Sequence, residues 1–218
     1  MRRRRKKTRY SGCDPRVFDR FFAKPLLGMD EVGTGCVAGP LCAAAIVLPQ
    51  SVEVQDALVD MNLRDSKQMT PLTRERVYGF LEKHAEYARA VFVFPRDIER
   101  LGQGPALDAM FTSLIAGYRN VATPGSVLID GNDRKGVSFS HQGIPGGDDK
   151  SLTISAASVW AKISRDRLMV NLAKEYPGYG LENHKGYYVR EHQEALEKLG
   201  VADIHRRNTK PIKDLMKG

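Results

Sequence analysis

Two adjacent carboxylates, Asp30 and Glu31, interrupt an otherwise apolar stretch in Gly28-Met29-Asp30-Glu31-Val32-Gly33-Thr34-Gly35. The segment reads as the start of a core strand carrying the acid pair, then a glycine-rich loop, leading into the apolar run Leu41 to Leu48. A buried strand accommodates Val, Ile, Leu and Ala readily, whereas two neighbouring carboxylates repel each other and lose hydration. Such a pair survives where a divalent cation neutralises it or where water reaches it. Gly33 and Gly35 let the backbone approach a ligand with no Cβ in the way. An acid pair beside open backbone suits a metal-dependent site acting on a phosphodiester, although Asp-Glu pairs are common and this one alone assigns nothing.

Two more acids stand at comparable places. Pro124-Gly125 turns into Ser126-Val127-Leu128-Ile129-Asp130-Gly131-Asn132, a buried strand ending in an acid, where α/β sheets place ligand-binding groups. Asp130 could equally open a turn. Gly146-Gly147-Asp148-Asp149-Lys150 precedes a long helix, and an acid there either caps that helix or joins Asp30, Glu31 and Asp130. Four acids from separate elements make little structural sense without cations.

The 218-residue chain is 42% hydrophobic, enough for one large domain, or for one domain with a small appendage. Its 34 Lys plus Arg against 26 Asp plus Glu give a formal charge of +8, which suits an anionic partner such as nucleic acid or serves only solubility. No apolar run approaches the roughly 20 residues of a membrane span. The N-terminus is basic but lacks the apolar core of a signal peptide, so a cytoplasmic protein with no membrane association is expected. Cys13, Cys36 and Cys42 are an odd set in a chain too long to need disulfides. No Cys-x-x-Cys with matching histidines suggests zinc, and Cys36 and Cys42 read as small half-buried residues.

Arg2 to Lys7 is a run of six basic residues, too charged to pack, and is expected to be a disordered arm. Folded structure is expected from Pro25. Leu41 to Leu48 reads as a second central strand stopped by Pro49, and Tyr87 to Phe94 as a third or edge strand. Thr70 caps a helix with Pro71 in its first turn, running to about His84. Pro105 to Tyr118 has apolar residues at helical spacing. Ser151 to Tyr176 is a long helix whose Ser155-Ala156-Ala157-Ser158 stretch permits very close packing. A last helix, about Val189 to Leu199, precedes a basic tail. The order of elements argues a mixed sheet with flanking helices.

These motifs together resemble ribonuclease HII, the bacterial type 2 ribonuclease H. That family's Gly-Ile-Asp-Glu-Ala-Gly-Arg-Gly is similar to Gly28 to Gly35, its Asn-Asp-Ser-Lys to Arg64-Asp65-Ser66-Lys67, and its Val-Asp-Gly to Ile129-Asp130-Gly131. Gly147 to Arg167 resembles its Gly-Asp-Ser-Lys block almost position for position. Tyr179-Gly180, His184-Lys185-Gly186-Tyr187 and His205-Arg206-Arg207 match its later segments. The resemblance spans about residues 27 to 212, in order.

The resemblance implies a ribonuclease H-like α/β fold: a mixed five-stranded sheet flanked by helices, with a helical C-terminal portion that grips substrate. Residues 1–24 would be the arm, 25–176 the catalytic domain and 177–218 the substrate-binding portion. Asp30, Glu31, Asp130 and Asp148 would be the catalytic acids and the ligands of two Mg²⁺ or Mn²⁺ ions, with Asp149 competing for the fourth place. Hard oxygen donors suit these ions, and two-metal hydrolysis leaves 5′-phosphate and 3′-hydroxyl ends. The implied substrates are RNA–DNA hybrids and DNA duplexes containing ribonucleotides, cut by a monomeric enzyme; a catalytically weak hybrid-binding protein on the same fold is the alternative.

By the same resemblance, Gly33, Thr34 and Gly35 would read the ribose 2′-hydroxyl through their backbone. Tyr187 would stack on the next deoxyribose, and Lys67, Lys150, Lys162, Lys185, Arg206 and Arg207 would contact phosphates. Asp166 is expected in a structural ion pair or cap, and His184 and His205 in structural or phosphate-facing roles. Three departures lie on the substrate side. Thr34 replaces the family's arginine, Tyr188-Val189 follows Tyr187, and Asn208-Thr209 follows the His-Arg-Arg. With all four acids present, this suggests altered substrate preference, not lost chemistry.

Overall fold

The structure, a computed structural model, describes residues 14–63 and 66–217. The basic run Arg2 to Lys7, Cys13 and the Arg64-Asp65 pair lie outside the described residues. The strands are β1 (Leu26–Val32), β2 (Leu41–Val47), β3 (Tyr87–Val93), β4 (Ser126–Asp130) and β5 (Gln142–Ile144). The helices are α1 (Pro15–Asp19), α2 (Val52–Asp60), α3 (Pro71–His84), α4 (Pro95–Leu101), α5 (Gln103–Arg119), α6 (Gly147–Lys150), α7 (Leu152–Glu175), α8 (Leu181–His184), α9 (Arg190–Leu199) and α10 (Lys210–Leu215), with a 3₁₀ turn at Ser66–Gln68.

The strands make one mixed sheet in the order β3-β2-β1-β4-β5. β1 pairs antiparallel with β2 and parallel with β4, while β3 and β5 form the edges. Every residue of β2 is buried, as expected for an apolar run with neighbours on both sides. Side chains alternate between faces. Leu27, Met29, Ala43, Ala45 and Val47 pack with Phe111, Leu114 and Tyr118 of α5. On the opposite face Ile46 packs with α2, α3 and Leu152, Ala156 and Val159 of α7, while Val32, Cys42 and Ala44 meet Ala161.

Helix boundaries follow their caps. The Thr70 hydroxyl accepts from the Thr73 N–H, with Pro71 at the first position of α3. Ser51 and Ser151 cap α2 and α7 in the same way. Besides the short α1, α6 and α8, three helices lie where none is expected: α2, α4 and α10, the last within the basic tail, where Thr209 precedes Lys210-Pro211 and Ile212 is buried. β5 is three residues long, too short for a periodic signal. Cys36 and Cys42, expected half-buried, are fully buried.

Two expectations are corrected. The acids lie at the carboxyl end of β1, not its start, because the strand begins at Leu26 and spends its first four residues on apolar core contacts. Folded structure also begins before Pro25. Within the stretch expected to be an arm, α1 is a helix whose Asp19 is buried and accepts from the Thr153 N–H (2.9 Å) and hydroxyl (2.7 Å).

Gly28 lets α7 lie directly on β1. A Cβ there would stand 2.8 Å from the Thr153 carbonyl carbon and 2.9 Å from the Ile154 nitrogen, backbone atoms that cannot swing away. Gly28→Ala is therefore expected to destabilise the protein by about 2–3 kcal/mol in urea unfolding, the scale of core overpacking.

Candidate active site

The parallel pairing of β1 and β4 aligns Leu26 with Ser126 and Met29 with Ile129. One step further, Asp30 and Asp130 leave adjacent strands side by side. Asp30 is 6% exposed. Burial first, and then the charges of Glu31 and Asp130, hold its carboxyl well above the usual carboxylate range; hydrogen bonding from Ser158 of α7 and from the Glu31 N–H (2.7 Å) offsets this only in part. Ser158 in turn bonds Ser66 at 2.9 Å, which brings the Ser66–Gln68 turn beside the acids.

Asp130 Oδ1 accepts from the Gly147 N–H at 2.6 Å and from the Asp148 N–H at 3.4 Å, so the start of α6 is fastened to the end of β4. A Cβ on Gly147 would crowd Ile154 Cδ1 (2.6 Å) and Asp130 Oδ1 (3.2 Å); glycine is needed for this approach. The Asp148 carbonyl accepts from the Ser155 hydroxyl at 2.5 Å. Asp149, the competitor for the fourth place, turns its carboxylate to Gln68 Nε2 at 3.3 Å.

Glu31 follows Asp30 and, by strand alternation, leaves on the α5 face. There it lines a cleft with Asp108, Asp130, Gly131, Asn132, Asp133 and Arg134. Among the described residues no three His, Cys, Asp or Glu side chains stand in position to hold a metal ion as placed. The donor set nonetheless fits a hard divalent cation: carboxylate oxygens, one of them buried and flanked by two like charges that a cation relieves. Arg134, which sequence reasoning passed over, enters the same cleft, its Nε 2.6 Å from Asp108 Oδ1.

The Gly33–Pro40 loop is sewn to the C-terminal portion. The Val37 and Ala38 N–H groups donate to Gly186 O (2.9 and 3.2 Å), Gly39 N–H to Ile204 O (2.8 Å) and Arg206 N–H to Val37 O (2.8 Å). Thr34 and Gly35 are exposed. Lys185 and Tyr187, the latter 38% exposed, border this loop. Gly186 has φ +87° and its Cα lies against Ala38 O, with no space for a Cβ.

The cations divide. Lys185 is half-buried and its ammonium contacts Glu182 O, while the exposed Lys150 contacts Pro145 O. Lys162 is ion-paired with Asp166 at 2.8 Å, so Asp166 takes the structural role expected of it. Arg207 is paired with Asp203 at 2.6 Å. Lys67 sits on the Ser66–Gln68 turn, its side chain outside the described residues. Arg206 requires a correction: expected among the phosphate contacts, it is fully buried, donating to Gly39 O (2.9 Å) and Gly33 O (2.7 Å).

Histidines build the floor beneath Tyr187. The Gly186 N–H donates to His184 Nδ1 (3.2 Å), so His184 Nε2–H donates to Tyr179 O (2.8 Å). His192 Nδ1–H donates to Tyr187 O (2.9 Å), leaving its Nε2 to accept from His205 Nε2–H (3.1 Å). His205 Nδ1 then accepts from the Ala202 N–H (3.0 Å). Every ring in this chain needs one proton and no more. His184 and His205 are thus structural, and His192, absent from any motif, is their link.

The closeness of the fold to known nucleases is plain. Ribonuclease H2 from Pyrococcus horikoshii OT3 superimposes with a TM-score of 0.74 at 24% identity, covering 88% of this chain and 97% of that one. Bst-RNase HIII, solved in complex with Mn²⁺, gives 0.65 at 16% identity, covering 88% and 69%. The molecule has the ribonuclease H-like fold, with acids at the carboxyl ends of β1 and β4. A sequence model of the ribonuclease HII family matches residues 27–211. The ribonuclease HII of Endomicrobium trichonymphae is 38% identical over 205 residues, covering 91% of this chain and 93% of that protein; that of Ruegeria pomeroyi is 39% identical over 196 residues, covering 88% and 78%. The chain belongs to the ribonuclease HII family and is a metal-dependent endoribonuclease of RNA–DNA hybrids.

Asp30→Asn relieves repulsion in the buried acid cluster. In chelator it is expected to raise the melting temperature by about 2–4 °C, the equivalent of roughly 1 kcal/mol in a domain of this size, while cleavage is lost. Burial, with His184 and His205 nearby, pushes the His192 pKa down to about 4 from 6.5. Its folded pKa lies below the unfolded one, so its contribution is complete above pH 6.5 and is lost as pH falls towards 4. Urea unfolding should show a loss of about 2–3 kcal/mol across that window, and His192→Gln should flatten the slope.

Proposed function

We propose that this protein, besides cutting the RNA strand of hybrids, cleaves 5′ of ribonucleotides embedded in duplex DNA, leaving 5′-phosphate and 3′-hydroxyl ends. Its place would be ribonucleotide excision repair in the cytoplasm, acting as a monomer. The observation that carries the active-site assignment is Asp30, a buried carboxylate beside Asp130 at the ends of two parallel strands, with its proton affinity raised by both burial and neighbouring acids.

Asp30, Glu31, Asp130 and Asp148 would hold two Mg²⁺ or Mn²⁺ ions. When bound, such ions lower the pKa of an attacking water and stabilise the leaving 3′ oxygen. Asp148 is preferred to Asp149 because its backbone is bonded to Asp130, whereas Asp149 is engaged with Gln68. The protein's own groups supply placement. Ser158 orients Asp30, and the Gly147 N–H orients Asp130.

The exposed Thr34-Gly35 backbone, with Gly33, would read the 2′-hydroxyl, the group that distinguishes RNA from DNA. The partly exposed Tyr187 ring would pack on the following deoxyribose, where a ribose hydroxyl would clash. Lys150 and Lys185, which form no ion pair among the described residues, are retained with Lys67 as the phosphate contacts. Residues 25–176 would form the catalytic unit and 177–218 the substrate-gripping portion.

The test is cleavage of two labelled duplexes in Mg²⁺ and in Mn²⁺, one with a single ribonucleotide in DNA and one with a continuous RNA strand. The expected result is cutting 5′ of the lone ribonucleotide, with kcat lowered at least ~100-fold in Asp130→Asn as metal-supplied charge stabilisation is lost. Cutting only the continuous hybrid would refute the junction preference. Binding of both without cutting would favour a hybrid-binding role.

A further inference from the structure

Two arginines lie wholly inside the protein without an acid beside them. Arg165, on α7, and Arg206, ahead of α10, are both 0% exposed, and among the described residues neither enters an ion pair. Buried charges normally require a counter-charge. Here the guanidinium groups spend their donors on backbone carbonyls instead. Arg165 donates to Pro40 O (2.9 Å), Ala38 O (3.3 Å) and Lys185 O (2.9 Å). Arg206 donates to Gly39 O (2.9 Å) and Gly33 O (2.7 Å), while its Nη2 is buried without a partner.

All but one of those carbonyls belong to the loop from Gly33 to Pro40. In a trans peptide the C=O of one residue and the N–H of the next point in opposite directions. Drawing Gly33 O inward onto Arg206 therefore turns the Thr34 N–H outward, on the exposed side of the loop. The approach is close: Gly33 has φ +92° and its Cα lies so near Arg165 Nε that no Cβ fits. The Lys185 carbonyl ties the residue before Gly186-Tyr187 to the same guanidinium pair.

We propose that Arg165 and Arg206 are positioning residues that hold the Gly33–Pro40 backbone, with the Thr34 N–H facing out, in its ribose-reading geometry before substrate arrives. Their two uncompensated charges also leave the loop electropositive where the family's loop arginine is replaced by Thr34. A planar guanidinium spans carbonyls six residues apart in sequence; a lysine ammonium keeps the charge and cannot bridge them in this way. The proposal rests on the 2′-hydroxyl reading given above.

The test is the ratio of affinities for a DNA duplex with one ribonucleotide and for the same duplex without it, measured in chelator so that nothing is cut. Wild type is compared with Arg165→Lys and Arg206→Lys, and thermal melts accompany each variant. The expected result is a ratio well above one in wild type that falls ~10-fold or more in both variants, since small misplacements of a recognition group are costly, with all-DNA binding within about 3-fold. A merely structural role would lower the melting temperature and both affinities together, and an unchanged ratio overturns the proposal. A wild-type ratio of one refutes the 2′-hydroxyl reading and this inference with it. Should neither variant fold, amide exchange on wild type decides. Slow exchange of Cys36 to Gly39 in the free protein, unaltered by duplex, supports preorganisation; fast exchange that slows only on binding overturns it.

Discussion

The parallel pairing of β1 with β4 is the constraint on which the rest of this molecule depends. Its register sets Leu26 against Ser126 and Met29 against Ile129, which delivers Asp30 and Asp130 to the same edge of the sheet from positions 100 residues apart in the chain. A one-residue slip would send Asp130 to the other face. The apolar residues before each acid enforce the register. Leu27, Met29, Val127 and Ile129 share one cluster with α5, and Leu26 and Leu128 share another with Ile154.

Helix α7 converts that edge into a site. Its small residues and Gly28 let it lie against β1, so Ser158 reaches Asp30 and Ser155 reaches the Asp148 carbonyl. Further along the same helix, Lys162 pairs with Asp166 and Arg165 enters the interior beneath the glycine loop. One rigid element thus touches the acids, the loop and the C-terminal portion. The repulsion concentrated at Asp30 is tolerated because the surrounding core holds the strand ends in place, and a divalent cation bound there would relieve it.

Much of this was legible in the chain. The run Leu41 to Leu48 announced β2, Thr70-Pro71 the start of α3, and Ser155-Ala156-Ala157-Ser158 the close packing of α7, because each is a local consequence of backbone sterics or side-chain size. The position of Asp30 and Glu31 within their strand was misread, since the apolar residues ahead of them are few and strand limits depend on which neighbours pair. β5 carried no signal at three residues. Arg206 read as a surface cation because basic residues usually are; its burial became visible only once five loop and C-terminal carbonyls were seen to converge on it and Arg165.

The sequence by itself determined the acids, the glycine loop, the family motifs and their order, all of which are statements about residue type and spacing. Which strand ends meet, which face Glu31 takes, that the Asp148 backbone is fastened to Asp130, and how His184, His192 and His205 share their protons were decided by tertiary structure alone. The physical reason is that desolvation, like-charge repulsion and hydrogen-bond direction act between groups brought together from distant parts of the chain. Their strength depends on the ångströms separating those groups, which no local pattern encodes.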